Sequence, residues 1–308
     1  MKFFGKKTLQ WKNVPLLGMG KGVLLLLLLM GWLQPVVAQK KFISVQTGNW
    51  NNAATWTSVP AGGTPGANDT VIISAGHTVT LTAATSCNKI RVYGTLQVAN
   101  QDFTCSDSAF IMSGGVITAN NTTGTKSFYH LILEGGTLTG TATETYSING
   151  RLIVQGNAIS TINVDTIIVY GKTIIESGSE LQFTSTSGGK TFRDTLFIYG
   201  TWNSTVNENY TFRRGIYNYG TFISGNGIYT FNTNSQTLSG TQPITFNGNV
   251  AIANGITVTN KTFVIVNGVL NSSNNTSTWV NDINSTLQYN NTSTVIMNTN
   301  GTLTASAT

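Results

Sequence analysis

From Gln39 onward, apolar and polar residues alternate in short runs, as in "TVTLTA" (78–83) and "RVYGTLQVA" (91–99). A period of two sends successive side chains to opposite faces of an extended backbone, so the pattern predicts half-buried β-strands. In "IRVYGTLQV" it turns Ile90, Val92, Leu96 and Val98 inward and Tyr93 outward. No stretch after Gln39 carries a helical period of useful length.

The strands recur around glycines: "IRVYGTLQV", "FIMSGGVIT", "LILEGGTLT", "YSINGRLIV", "IIVYGKTII", "LFIYGTWNS", "IYNYGTFIS", "ITFNGNVAI" and "VIVNGVLNS". Their glycines are Gly94, Gly115, Gly136, Gly150, Gly171, Gly200, Gly220, Gly248 and Gly268. The step from Gly94 to Gly115 recurs along the chain almost unchanged, with a few shorter or longer ones between. A period near 21 marks a repeat architecture, and it leaves room for two or three short strands with turns, one coil of a parallel β-helix. The predicted fold is therefore all-β, a right-handed parallel β-helix. Roughly twelve coils stacked at about 4.8 Å would give a rod of about 60 Å. The competing reading is one or more antiparallel β-sandwiches, kept open by the Asn-Gly pairs at Asn149, Asn247 and Asn267, since Asn-Gly is the strongest hairpin signal.

A stacked rod exposes unpaired backbone and open core at its first coil. Trp50 and Trp56, in "GNWNNAATW", are placed to cover that end over the coil formed by "DTVIISAGHTVTL"; a sugar-binding aromatic patch is the alternative. Trp50, Trp56, Pro65, Asp69, Val71, Ile73, Gly76, His77, Val79, Leu81, Val92, Gly94 and Leu96 follow the order W…tW…P…g-d-V-I…G-h-V-t-L…l-v-G-t-L. In that order the segment resembles the opening of surface proteins of Bacteroidetes-type bacteria and, more loosely, the eight-glycine domain of animal extracellular proteins. The resemblance covers the segment 48–98 and implies secretion and a β-helical rod. It carries no catalytic residue over.

Ahead of the repeats, Lys2, Lys6, Lys7, Lys12 and Lys21 precede the apolar run "GVLLLLLLMGWL" and the small residues Val36 and Ala38. This reads as a signal peptide over 1–38, with a retained anchor as the alternative. The expected organisation is then a cap segment over 39–70 and β-helix repeats over 71–308, with no membrane span in the mature chain. Removing the five leader lysines from 17 Lys and Arg leaves 12 cations against 11 acids, a net charge of +1. That balance gives no warrant for nucleic-acid binding, which needs a clustered basic face. Only 9% of the chain is charged, and Thr, Asn, Gly and Ser supply its polar surface.

Candidate chemistry is sparse. Cys87 and Cys105 are expected to form one disulfide in an exported chain, or else to be two small buried hydrophobes. Asp165 and Asp194 stand at the same distance before Gly171 and Gly200, so they are placed on neighbouring coils beside Arg193 as weak catalytic candidates, or as turn-forming residues. The strand-opening triplets "DTV", "DSA", "DTI" and "DTL" are similar to the O-glycosylation site that Bacteroidetes use on exported proteins, which implies Thr70, Ser108, Thr166 and Thr195 as acceptors. Tyr170, Tyr199 and Tyr219 each stand before a glycine and are expected to form an exposed ladder, with Trp202 nearby, as a platform for sugar rings or as a structural stack. The histidines, His77 and His130, read as ordinary turn and surface residues. No metal site and no cofactor fingerprint is found. The sequence reading is a secreted or cell-surface, adhesin-like stalk with weak binding to polysaccharide or cell-surface glycan and no catalysis. The alternatives are a polysaccharide lyase or glycoside hydrolase on a β-helix, and a purely structural spacer. The strand pattern still running at "GTLTASAT" points to a chain truncated at its C-terminus.

Overall fold

A computed structural model describes residues 39–119, 124–140, 144–272, 276–293, 298–300 and 303–305. The leader expected over 1–38 and the final residues 306–308 lie outside the described residues.

The chain is a parallel β-solenoid, and each coil has three sides. In one coil the first face is Thr145–Ile148, the second Leu152–Val154 and the third Ile159–Asn163. The next coil repeats them in order: Tyr146 pairs with Ile167, Leu152 with Thr173, and Ile159 with Glu180, all parallel and all at one sequence offset. Alternation sets the inside, so Ile90, Val92, Leu96 and Val98 are fully buried. In the early coils the first two faces run together as the continuous strands Thr85–Val92, Phe103–Met112 and Lys126–Glu134, which take the corner at register shifts between Cys87 and Lys89 and between Phe128 and His130. Such an irregularity bends a strand without ending it.

Three corners explain the uneven glycine spacing. Gly94, Gly115, Gly136, Gly200 and Gly220 turn from the second face to the third, Gly150 and Gly171 from the first to the second, and Gly248 and Gly268 from the third to the first of the next coil. The short step from Gly136 to Gly150 is two sides, and the long steps from Gly171 to Gly200 and from Gly220 to Gly248 are each one coil plus one side. Glycine is required where coils stack tightest: a Cβ at Gly220 would overlap the Gly200 carbonyl oxygen, and one at Gly171 the Gly150 carbonyl. The Asn-Gly pairs turn corners of parallel coils and make no hairpins. Asn267 donates its side-chain amide to Asn247 (2.8 Å), and Asn290 donates to Asn267 (2.7 Å), a ladder that ties three coils together.

Apart from an isolated bridge between Met112 and Gly135, antiparallel pairing among the described residues is confined to the first rung, where Trp56–Val59 lies along Lys41–Ser44. The other edge of Lys41–Ser44 pairs in parallel with Thr70–Ile73, so stacking begins within the segment 39–70. Trp50 and Trp56 are buried there and pack edge to face with centroids 5.4 Å apart; Trp50 in turn meets Phe103 at 5.9 Å, the start of an interior file through Phe128 and Tyr146. Both indole N–H groups are satisfied, Trp56 by the Trp50 carbonyl (2.8 Å) and Trp50 by the Pro65 carbonyl (3.1 Å).

The interior also holds charge. Lys190 and Glu208 form an ion pair with both side chains fully buried, and the Lys190 ammonium also donates to the Asp165 carbonyl (2.7 Å). Burial pushes the Glu208 carboxyl up to about 7 and the Lys190 amine down, because each loses its hydration. Lys126, Glu144 and Tyr146 repeat the set Lys190, Glu208 and Tyr210 at identical spacing, and in both sets the lysine and tyrosine are register partners on adjacent coils. Sequence reasoning passed over this spacing, which is itself the signal. The lysines bind carbonyls that precede first-face strands, Gly124 for Lys126 (3.1 Å) and Asp165 for Lys190.

Candidate functional site

On a solenoid of this composition the outward positions are mostly Thr, Ser and Asn. The second face departs from that rule. Register pairing places Phe110, Ile132, Ile153, Ile174, Phe197 and Tyr217 on six successive coils, all on its outer side. Ile132 is buried and the other five are half-buried, and an apolar stripe along an outer face is the mark of a contact surface. It ends in a cluster of rings: Phe197 and Tyr217 lie 5.3 Å apart, Phe197 and Tyr199 6.5 Å apart with nearly parallel planes, and Tyr199 and Tyr219 5.2 Å apart with planes inclined by 8°. Tyr199 and Tyr219 are 46% and 39% exposed, so this stack is open to solvent.

Tyr170 does not join them. It precedes Gly171 at the corner between the first and second faces, whereas Tyr199 and Tyr219 precede glycines at the corner between the second and third. The expected three-tyrosine ladder is therefore a pair plus a separate residue, and Tyr170 instead carries the Arg193 guanidinium over its ring at 4.2 Å. Trp202 is corrected more firmly. It points inward from Thr201–Ser204, is fully buried and contacts Phe183, Phe192, Tyr210 and Phe222, because it sits one residue past the outward position of its strand.

The corner between the first and second faces gathers the cations. Arg151, Lys172, Arg193, Arg213 and Arg214 occupy it on four consecutive coils, and His130 takes the equivalent place one coil earlier. Five of the 12 cations from Gln39 onward thus stand on one ridge. Their single acidic neighbour at that corner is Asp194, and among the described residues none of the five pairs with a carboxylate. Stacked glycines leave a recess in the ridge of about 470 Å³, lined by Tyr129, His130, Gly150, Arg151, Gly171, Lys172 and Asp194. His130 Nδ1 accepts the Arg151 backbone N–H (2.9 Å), which fixes the ring and leaves Nε2 to carry the proton. Lys172 lies 5.6 Å from the centre of the Phe197 ring, so the ridge and the aromatic cluster adjoin.

The remaining candidates fall apart as chemistry. Asp165 leads onto the first face and Asp194 onto the second, so they occupy different corners and form no carboxylate pair. Asp194 accepts from the Thr195 backbone N–H (2.7 Å) and hydroxyl (3.2 Å), and Asp165 accepts from the Ser187 hydroxyl, the work of turn-forming residues. Cys87 and Cys105 are register neighbours on adjacent coils but remain free, buried thiols. The expected bridge is replaced by the other reading, two small interior side chains, with Cys105 Sγ 3.3 Å from the Asn88 carbonyl and the Cys87 thiol pushed up by burial. Of the triplet hydroxyls, Ser108 is buried and donates to Asp107 (3.1 Å), while Thr70, Thr166 and Thr195 are half-buried. Among the described residues no three His, Cys, Asp or Glu side chains converge as a metal site, and no helix is long and apolar enough to cross a membrane.

The tyrosines and aspartates were misplaced for one reason: "YG" and "D…G" look alike at every corner, and only the register tells the corners apart. The basic ridge was missed because its members lie about one coil apart in sequence and never form a run. No family model matches this chain, and neither a curated protein nor a solved structure matches it at the level taken as significant.

Proposed function

We propose that the chain is a secreted, cell-surface β-solenoid that acts as an adhesin-like stalk and binds polysaccharide on its second face, without catalysis. The observation that carries this reading is the exposed Tyr199–Tyr219 stack beside Phe197 and Tyr217. Sugar rings lay their apolar C–H faces on aromatic rings, and a flat, parallel ring stack at coil spacing suits a linear polymer that runs along the rod. Each contact is weak, and repetition along the polymer multiplies it. The likeness of the segment 48–98 to Bacteroidetes-type surface proteins, and the lysine-rich leader, support export to the cell surface. Thr70, Thr166 and Thr195 are the acceptors this reading keeps for O-linked glycan.

The test is binding to a panel of polysaccharides by affinity electrophoresis. Tyr199→Ala/Tyr219→Ala should lose at least about tenfold in affinity. The thermal midpoint should move little, since an exposed cross-strand pair contributes only about 0.2–1 kcal/mol. Retained binding in this variant would overturn the platform, no binding by the parent chain would leave a spacer, and release of reducing ends or unsaturated products would mean an enzyme.

A further inference from the structure

We propose that the polymer bound on the second face is acidic, a polysaccharide bearing carboxylates along its length, and that the ridge Arg151, Lys172, Arg193, Arg213 and Arg214 selects it. The inference rests on the polysaccharide reading and names its ligand class.

The argument is one of charge placement. A chain with a net charge of +1 after its leader has no general reason to attract anions, and its remaining lysines are largely accounted for: Lys89 and Lys261 pair with Asp107 and Asp282, and Lys126 and Lys190 are buried. Among the described residues Lys40, Lys41 and Arg91 also lack a carboxylate partner, but only the ridge stacks such cations on successive coils. Arg151, Lys172 and Arg214 are exposed, Arg193 and Arg213 are half-buried, and the Nε of each half-buried guanidinium has no hydrogen-bond partner. Arginine fits this task because its planar fork binds a carboxylate through two parallel N–H donors. The ridge places a cation on each successive coil, at about 4.8 Å spacing, close to the advance of one sugar along an extended glycan. Carboxylates on the other side of the same face, Glu134 and Glu176 at the corner to the third face, repel an anionic polymer toward the basic corner. There the recess at Gly150 and Gly171 receives it, and Phe197 beside Lys172 continues the track onto the rings.

The experiment compares polygalacturonate, a neutral galactan and single-stranded DNA as probes for the full chain, its Arg151→Gln/Lys172→Gln variant and a Lys261→Gln control away from the ridge. The expected result is binding to polygalacturonate alone. It should fall at least about tenfold in the ridge variant, stay unchanged in the control, and weaken as salt rises from about 0.05 to 0.5 M, because partly exposed charges are screened. Equal binding of galactan, unaffected by the ridge variant, would overturn the acidic assignment and leave the aromatic platform standing. DNA bound as tightly as polygalacturonate would overturn the choice of a glycan, and binding to none of the probes would overturn this inference and the reading beneath it. A circular dichroism melt of each variant separates lost binding from lost fold.

Discussion

At the scale of single residues, the solenoid is strict inside and permissive outside. Trp202 fills the interior among Phe183, Phe192 and Tyr210, so Trp202→Ala should destabilise by about 3–5 kcal/mol, read as a fall in the thermal midpoint. Gly220→Ala tests the corners. Its Cβ meets the Gly200 carbonyl, which belongs to backbone that cannot step aside, and a loss of about 1–3 kcal/mol is expected. Glu208 gives a pH signature. Its carboxyl keeps a proton up to about 7 in the fold but releases it near 4.5 when unfolded. The unfolded state therefore deprotonates first, and stability falls as pH rises from about 4.5 to 7. Melts across that range should show the decline, and Glu208→Gln should flatten it.

At the scale of elements, the strands themselves were legible in the sequence and their corners were not. Alternation predicts strand faces from very few residues, and Ile90, Val92, Leu96 and Val98 lie where it puts them. The recurring glycine step predicts the coil, and the pairings run at that spacing. What alternation cannot carry is the identity of the side, because a turn of glycine after an outward residue serves all three corners equally. Tyr170 was therefore grouped with Tyr199 and Tyr219, and Asp165 with Asp194. Trp202 was misjudged for a smaller reason: its strand begins one residue after Gly200, which puts Thr201 outward and the tryptophan in. The buried pair Lys190–Glu208 belongs to the element scale as well, since it joins the strand Gly189–Phe192 to the turn entering Asn209–Phe212. Above pH 7, where Glu208 is ionised, Glu208→Leu alone should cost about 3–5 kcal/mol by leaving an ammonium unpaired, and Lys190→Met/Glu208→Leu should recover most or all of it. Chemical denaturation of the parent chain and both variants checks the ordering.

At the scale of the whole molecule, stability is close to a sum over coils and the contacts between neighbours, so damage to one coil stays local unless it lies in the middle of the stack. The same geometry separates the jobs of the three faces. The third face is built of short strands whose outward positions are mostly threonine, asparagine and glutamine, with Ile159, Ile223 and Phe263 exposed among them, and the second carries the apolar stripe, the rings and, at its edge, the cations. A polymer lying along the second face touches several coils at once, which is how weak contacts of one kind become a firm grip.

Three sides of similar length, sharing one glycine signature, also give the molecule something like a reading frame. Deleting one whole coil leaves every later side chain on its original face. Deleting a single side with its turn keeps the buried stripe, yet turns everything downstream by a third of a revolution, so a binding strip can be moved around the axis, broken, or joined to another by indels that the core scarcely registers. In such a protein the surface can be rewritten by changes of phase as readily as by changes of residue.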